Sequence, residues 1–420
     1  MLDFDLSCFQ NEYLPRDARE VHAVITITAP EAGHDASNGG VEVIAVDTSE
    51  SMAGSKIHAA RQATATAVAA LNDGVRFAVI AGNDAARVIY PFDGALAVAS
   101  PQTRGEAQHA SEQLAASGGT AIGSWLRLIA DLVREASGIK HAILLTDGKD
   151  PSESPEDLER AIAAAQGMFQ CDCRGIGTDW VVSELRKIST ALLGTVDIVA
   201  DPSGLASDFK AMVDRAMSKS FADVNLRVWT PQGANIAFVK QVVPELLDLT
   251  NRRAIVNALS GDYPTGAWGE GESRDYHLCV TVKPGSVGDE MLAARVSVIV
   301  NGELRGQALS KAIWTDDPAR WTQLNRQVAH YTGQTQLADA IAEGLEARKL
   351  GDMEAAMARL GWAVQLAAQS GNGELATLLS RVVEVEDATT GKVTLKSKVD
   401  DADEMTLDTR STKTVRVGRP

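Results

Sequence analysis

VEVIAVDTSESMAGSKIHAARQATATAVAAL, residues 41–71, reads as a buried strand, a hydroxyl-rich turn and a helix. Val41, Val43, Ile44, Ala45 and Val46 form a short apolar run rich in β-branched residues, the pattern of a strand covered on both faces. The run ends in Asp47-Thr48-Ser49-Glu50-Ser51. From about Gly54 onward, Ile57, Ala60, Ala67 and Val68 fall on one helical face. A carboxylate and two hydroxyls at the carboxyl end of a parallel strand stand where open α/β sheets bind ligands. Hard divalent cations prefer such oxygen donors. Asp47 brings the charge, and Ser49 and Ser51 can point their hydroxyls at one ion from a single tight turn.

Two later stretches extend this reading. Ser117-Gly118-Gly119-Thr120-Ala121-Ile122-Gly123 is a glycine-rich loop with Thr120 at its tip, leading into a helix. His141-Ala142-Ile143-Leu144-Leu145-Thr146-Asp147-Gly148 is a second buried strand with an aspartate at its carboxyl end. The D-x-S-x-S turn, the GGT loop and the strand ending in TDG, in this order, resemble the von Willebrand factor type A family and its metal-ion-dependent adhesion site. The resemblance covers about 180 residues, less than half of the chain. It implies a metal shell of Asp47, Ser49, Ser51, Thr120 and Asp147, holding Mg²⁺ or Mn²⁺. It also implies a protein partner that presents an Asp or Glu to the ion. Many members of the family have glycine where this chain has Glu50, so the resemblance leaves the effect of that extra charge open.

The chain alternates strand and helix from Val41 to about Ser218, which argues for an α/β domain, a mostly parallel, Rossmann-like sheet with helices on both faces. After Phe221 the texture turns to β, with turn signals at Pro231, Gly233, Gly261, Pro284-Gly285 and Asn301-Gly302. That texture argues for an antiparallel β-sandwich. Residues 21–28 alternate well enough to be a strand joining that sandwich, so the α/β domain is expected to be inserted in it or followed by it. The expected boundaries are 1–35 for the amino-terminal segment and its strand, after which a turn-rich linker (EAGHDASNGG, 31–40) leads into the α/β domain at 36–220. The β-sandwich is placed at 221–315, a helical bundle at 316–384, a β-hairpin at 385–399 and a flexible tail at 400–420.

Composition excludes several function classes. Net charge is −16 and the sequence pI about 4.9, the opposite of a nucleic-acid or anionic-membrane surface. No apolar run is long enough to span a bilayer. The amino-terminal MLDFDLSCFQ is acidic and lacks an apolar core, so no secretory signal is expected. The four cysteines, Cys8, Cys171, Cys173 and Cys279, fit no zinc or thioredoxin spacing. Reduced thiols in a cytoplasmic protein are the plain reading.

The tail, DDADEMTLDTRSTKTVRVGRP, carries Thr406, Thr409 and Thr412, Thr406 lying just after Asp403-Glu404 and Thr409 following Asp408. They are candidate phosphorylation sites, since a phosphate adds nearly two charges that an arginine-lined reader can grip. Acidic, threonine-rich tails of this kind resemble those read by forkhead-associated domains in actinobacterial Ser/Thr kinase pathways. Catalytic readings find less support. Asp47 opens a loop like that of aspartyl phosphohydrolases, but Ser49 stands where their second carboxylate is needed. No nucleophile elbow and no Walker A motif occurs. The expectation is therefore a non-enzymatic cytoplasmic adaptor that binds a partner protein through a Mg²⁺-dependent site. One alternative is a subunit working with a separate ATPase in a remodelling or metal-insertion complex. Another is a metal-dependent phosphohydrolase.

Overall fold

The apolar run at 41–46 forms the strand Val41–Asp47, buried along its whole length, in the computed structural model of the chain, which describes residues 3–31, 40–148 and 152–417. The linker residues 32–39 lie outside the described residues. The chain divides into two compact units, one contiguous over 33–222 and one drawn from 1–32 and 223–420.

In the first unit the Val41–Asp47 strand is central. The sheet order is Val196–Val199, Gln170–Ile176, Lys140–Thr146, Val41–Asp47, Arg76–Gly82 and Ala86–Tyr90, with Ala97–Val98 also paired to Arg76–Gly82. The first five strands run parallel, and Ala86–Tyr90 is antiparallel, closing a hairpin. Helices cover both faces. Ser55–Ala69 packs with Pro101–Glu112 and Leu205–Met217 on one side, and Ile122–Val133 packs with Pro155–Ala165 on the other. Central parallel strands meet helices on both sides, so they are apolar throughout rather than alternating. Every parallel strand ends its carboxyl terminus at one edge, and this is what brings Asp47 and Asp147 together.

The second unit holds two sheets. One has five strands in the order Asp5–Gln10, Glu20–Thr28, Ser273–Thr281, Asn235–Val243 and Leu247–Asp248. The other has six, in the order Ala254–Asn257, Ser260–Gly269, Lys219–Trp229, Glu290–Val300, Glu303–Trp314 and Tyr13–Leu14. Trp268 of the second sheet stacks on Tyr276 of the first, and the Arg274 guanidinium lies 4.3 Å from the Trp268 ring centre. The strand Ser260–Gly269 falls where the sequence reads as turn. Gly261, Pro264 and Gly266 punctuate it, yet Tyr263, Ala267 and Trp268 are buried and hold it in the sheet.

Helices follow the sandwich. Pro318–Trp321 is a single short turn, and Asn325 starts the long helix Arg326–Lys349 by accepting the N–H groups of Gln327 and Val328. Met353–Ser370 packs back on it, with Gly344 against Leu360 at the crossing. Gly361 lies so close to the backbone of Gly391, in the turn between Val383–Asp387 and Lys392–Leu395, that a Cβ there would meet the carbonyl.

The tail expected to be flexible is an ordered element, the helix Asp401–Arg410. Asp400 caps it by accepting the Ala402 N–H, and Asp401, Asp403 and Glu404 in its first turn complement the helix dipole. Leu407 is fully buried among Leu378, Leu379 and Leu345. The acids that read as solvated are ion-paired: Glu404 with Arg348 at 3.4 Å, Asp408 with Lys349 at 3.8 Å and Asp403 with Arg381 at 3.0 Å. Beyond the helix, the Leu246 N–H donates to the Thr412 carbonyl at 2.8 Å.

Candidate metal centre

Asp47 ends the central strand with its carboxylate buried. Oδ1 accepts the Ser49 backbone N–H at 2.7 Å, and Oδ2 accepts the Thr146 hydroxyl at 2.5 Å. Burial pushes this carboxyl above its ordinary range, and the hydrogen bonds from Thr146 and Ser49 oppose that shift. The turn after Asp47 is a short 3₁₀ segment, Glu50–Met52, with Ser49 buried before it and Ser51 exposed within it. The Ser49 and Ser51 hydroxyls are 2.9 Å apart, and Ser51 donates to Asp147 Oδ1 at 2.7 Å. Asp147 follows directly on the neighbouring Lys140–Thr146 strand, also buried.

The glycine-rich loop is stitched to this turn by its backbone. Ser117 N–H donates to the Thr48 carbonyl, and Glu50 N–H donates to the Gly118 carbonyl. Gly118 has φ +79°, a conformation that glycine adopts without strain. Asp84 accepts the Gly119 N–H at 2.9 Å, and that bond holds its carboxylate below the ordinary range. Thr120 is buried, its backbone N–H donating to the Ser152 hydroxyl. Its hydroxyl and that of Ser51 both face Gly148, lying 3.9 and 3.5 Å from where a Cβ would stand on that glycine. Asp47, Ser49, Ser51, Thr120 and Asp147 therefore come to one edge of one sheet.

Three neighbours of this cluster escape a reading of the sequence. Lys56, in the first turn of Ser55–Ala69, places its ammonium 2.5 Å from Asp147 Oδ2 and 3.2 Å from Asp179. Burial pulls this lysine down, but the two carboxylates outweigh it and hold the pKa above its ordinary value. Thr146 fixes the orientation of Asp47. Asp179 completes the lysine's surroundings. A lysine a few residues past D-x-S-x-S was the available signal for the first; nothing local marks the other two. Glu50, the departure from the family pattern, is exposed, and its side chain makes no hydrogen bond or ion pair with the described residues.

The donor set is all oxygen, with two carboxylates and three hydroxyls, which suits a hard divalent cation. The geometry agrees: a positive group, the Lys56 ammonium, already sits on the Asp147 carboxylate in this structure.

The tail threonines are placed differently. The Thr406 hydroxyl donates to the Ala402 carbonyl at 2.6 Å. Thr409 is 2% exposed, its hydroxyl donating to the Met405 and Thr406 carbonyls. Thr412 is half-buried, with its carbonyl engaged by Leu246. The segment is thus folded rather than extended, and Thr409 is closed to a kinase in this fold.

Comparison with known proteins adds the following. The von Willebrand factor type A domain family matches residues 42–198, and the von Willebrand factor type A C-terminal domain matches 365–411. No curated protein matches the chain in sequence. Among solved structures, a von Willebrand factor type A protein from Catenulispora acidiphila is 50% identical, with 99% of this chain and 98% of that chain covered and a TM-score of 0.94. The ArnB paralog VWA2 from Sulfolobus acidocaldarius is 13% identical, with 96% and 97% covered and a TM-score of 0.59. The human COPII-coat protein Sec24c is 9% identical, with 93% and 60% covered and a TM-score of 0.56. At the last two identities the likeness is one of fold alone.

Proposed function

This chain belongs to the von Willebrand factor type A family, and on that premise we propose that it is a non-enzymatic protein-binding module. Asp47, Ser49, Ser51, Thr120 and Asp147 would hold Mg²⁺ or Mn²⁺, and the ligand would be an Asp or Glu of a partner protein. The observation that carries this reading is the convergence of two buried carboxylates and the serine and threonine hydroxyls at the carboxyl edge of a parallel sheet. The chemistry such a cation supplies when bound is an electrophilic position for a carboxylate. The chain's own part is preorganisation. Thr146 and the Ser49 N–H fix the Asp47 carboxylate, while the stitched loop holds Thr120 in place. Ser51 is already oriented by Asp147. Glu50, exposed beside the turn, disfavours acidic surroundings on the partner outside the one engaged carboxylate. The tail takes no part in this reading, since Asp403, Glu404 and Asp408 are ion-paired within its own unit.

The test is capture of partners from the source cell's lysate, in Mg²⁺ and in EDTA, by wild type and by Asp47→Ala combined with Asp147→Ala. A partner set retained only by wild type in Mg²⁺ is the expected result. The same set in all four lanes overturns the reading.

Lys56 supplies a second expectation. Its ammonium shares Asp147 with any incoming cation, so Lys56→Ala removes a repulsion that at about 4 Å amounts to roughly 2 kcal/mol for a divalent ion, even at the dielectric of water. Screening by salt reduces this. Mg²⁺ affinity is expected to rise on the order of 10-fold in titration calorimetry. The cation-free protein should melt lower, because Asp147 then keeps only its Ser51 hydrogen bond and is left buried without a counter-charge.

A further inference from the structure

The five-stranded sheet of the second unit carries a cluster that the function proposed above does not use. Glu20–Thr28 and Ser273–Thr281 pair antiparallel, with His22 opposite Cys279 and Val24 opposite His277. Opposed residues in such a pair project to the same face, and alternate residues along a strand share it. Glu20, His22, His277 and Cys279 therefore crowd one patch. His22 Nε2 lies 3.7 Å from Cys279 Sγ and 3.6 Å from Glu20 Oε2. The ligand atoms of Glu20, His22 and Cys279 all fall within 4.8 Å of one another. A tetrahedral Zn²⁺ with ordinary bond lengths sets its nitrogen about 3.5 Å from its sulfur and about 3.4 Å from its carboxylate oxygen. The spacing is thus already close to that of a bound site.

We propose that Glu20, His22 and Cys279 form a site for a borderline-soft transition metal ion, Zn²⁺ being the natural occupant, with a fourth position open to solvent. The ligand chemistry separates it from the oxygen cluster at Asp47: thiolate and imidazole select Zn²⁺ or Co²⁺ over Mg²⁺. The surroundings are those of a built site. His22 Nδ1 is 3.2 Å from His277 Nε2. His277 is buried beside this nitrogen. It can accept the Nδ1–H of His22, the tautomer that leaves the His22 Nε2 lone pair free towards Glu20 and Cys279. His277 is therefore a positioning residue. Phe238 forms a wall, its ring centre 4.9 Å from that of His277 and 5.9 Å from that of His22. Lys240, opposite His277 in the register, places its ammonium 5.2 Å from the centre of the Phe238 ring. Cys279 is 2% exposed, whereas the Glu20 side chain is 68% exposed, so the site opens on the glutamate side. An unligated cysteine ordinarily carries its proton near neutral pH, and the thiolate is the form that ligates a metal. Binding therefore forms a metal–sulfur bond and releases the thiol proton to solvent.

The test uses Co²⁺ as a probe on the full chain under reducing conditions. The expected result is a thiolate-to-cobalt charge-transfer band in the near ultraviolet that saturates at about one equivalent, with about one proton released in weakly buffered solution at neutral pH. Cys279→Ser should abolish the band. His22 is partly exposed, so His22→Gln tests the same site without disturbing the core and should weaken binding at least about 10-fold. His277→Leu should weaken it by about 10- to 100-fold, and His277→Gln, which can still accept the His22 N–H, should restore most of it. No band in the wild type at one equivalent, or a band that survives Cys279→Ser, overturns the proposal. Either result leaves the Asp47 site untouched, since that site contains no sulfur.

Discussion

Replacing Asp47 by asparagine is expected to weaken Mg²⁺ binding by on the order of 1,000-fold and to remove cation-dependent partner capture, while the fold survives. A carboxylate about 2 Å from a divalent ion gains about 4 kcal/mol even at the dielectric of water, and each 1.4 kcal/mol is a factor of about ten. Asparagine keeps an acceptor for the Ser49 N–H, and Thr146 can turn its hydroxyl to accept from the new amide. It also removes a buried charge that the protein holds at a cost, as the raised pKa of Asp47 shows. The melting temperature in EDTA should therefore stay within a few degrees of wild type or rise. Titration calorimetry and thermal unfolding check both halves. Unchanged Mg²⁺ affinity in Asp47→Asn means that the oxygen cluster is not where the cation binds.

The second large effect lies at the opposite end of the same strand. Glu42 stands five positions before Asp47, roughly 17 Å away along the chain. Its two carboxylate oxygens each lie 2.9 Å from His141 Nδ1, and His141 Nε2 lies 3.3 Å from Asp172 Oδ2. Asp172 also accepts the backbone N–H of Thr195 at 2.7 Å and its hydroxyl at 2.8 Å. Burial alone would drive His141 to its neutral form. The Glu42 charge and the Asp172 hydrogen bond outweigh it and raise the imidazole to about 10. Burial would likewise raise Asp172, but the hydrogen bond and charge of His141 hold it well below the usual carboxylate range.

The signs then follow. A histidine raised from about 6.5 to about 10 contributes stability that is whole below pH 6.5 and is lost as pH climbs towards 10. A depressed aspartate contributes above its ordinary value of about 3.9 and loses that contribution as pH falls further. The triad is strongest between roughly pH 4 and 6.5, and the 33–222 unit should melt progressively lower from pH 6.5 to 10. His141→Leu leaves the Glu42 carboxylate buried without its partner, a loss of about 3–5 kcal/mol. For a unit of this size that is about 10 °C in melting temperature. The variant should also flatten the alkaline slope, and calorimetric scans across pH read both effects. A variant that melts like wild type, with the slope intact, would show that the triad is not what stabilises this sheet.

Much of the candidate centre is legible in the chain because its parts are local. Asp47, Ser49 and Ser51 fall within one turn, and a strand that ends in that turn must present them together. Strand-to-helix alternation fixes the parallel sheet, and a parallel sheet gathers strand ends at one edge, so Asp147 had to be near. The tail misled because composition carries no information about partners. Glu404, Asp408 and Asp403 look like a solvated acidic run, and only packing brings Arg348, Lys349 and Arg381 against them. The strand Ser260–Gly269 was hidden by its glycines and proline, since its burial against other strands outweighs local preference.

The sequence by itself determined the α/β architecture and the β-rich and helical parts, because each depends on periodicity or spacing within a few residues, and it placed Asp47, Ser49 and Ser51 in one turn. Tertiary structure alone decided which charges meet. Lys56 reaches Asp147, 91 positions away, because a helix and a neighbouring strand end at one edge. Glu42 finds His141, 99 positions on, because two parallel strands share a register. His22 finds Cys279 across 257 positions because an antiparallel register sets them opposite. A slip of one residue in that pairing would send Cys279 to the other face, and no local signal in the sequence records which register the sheet takes.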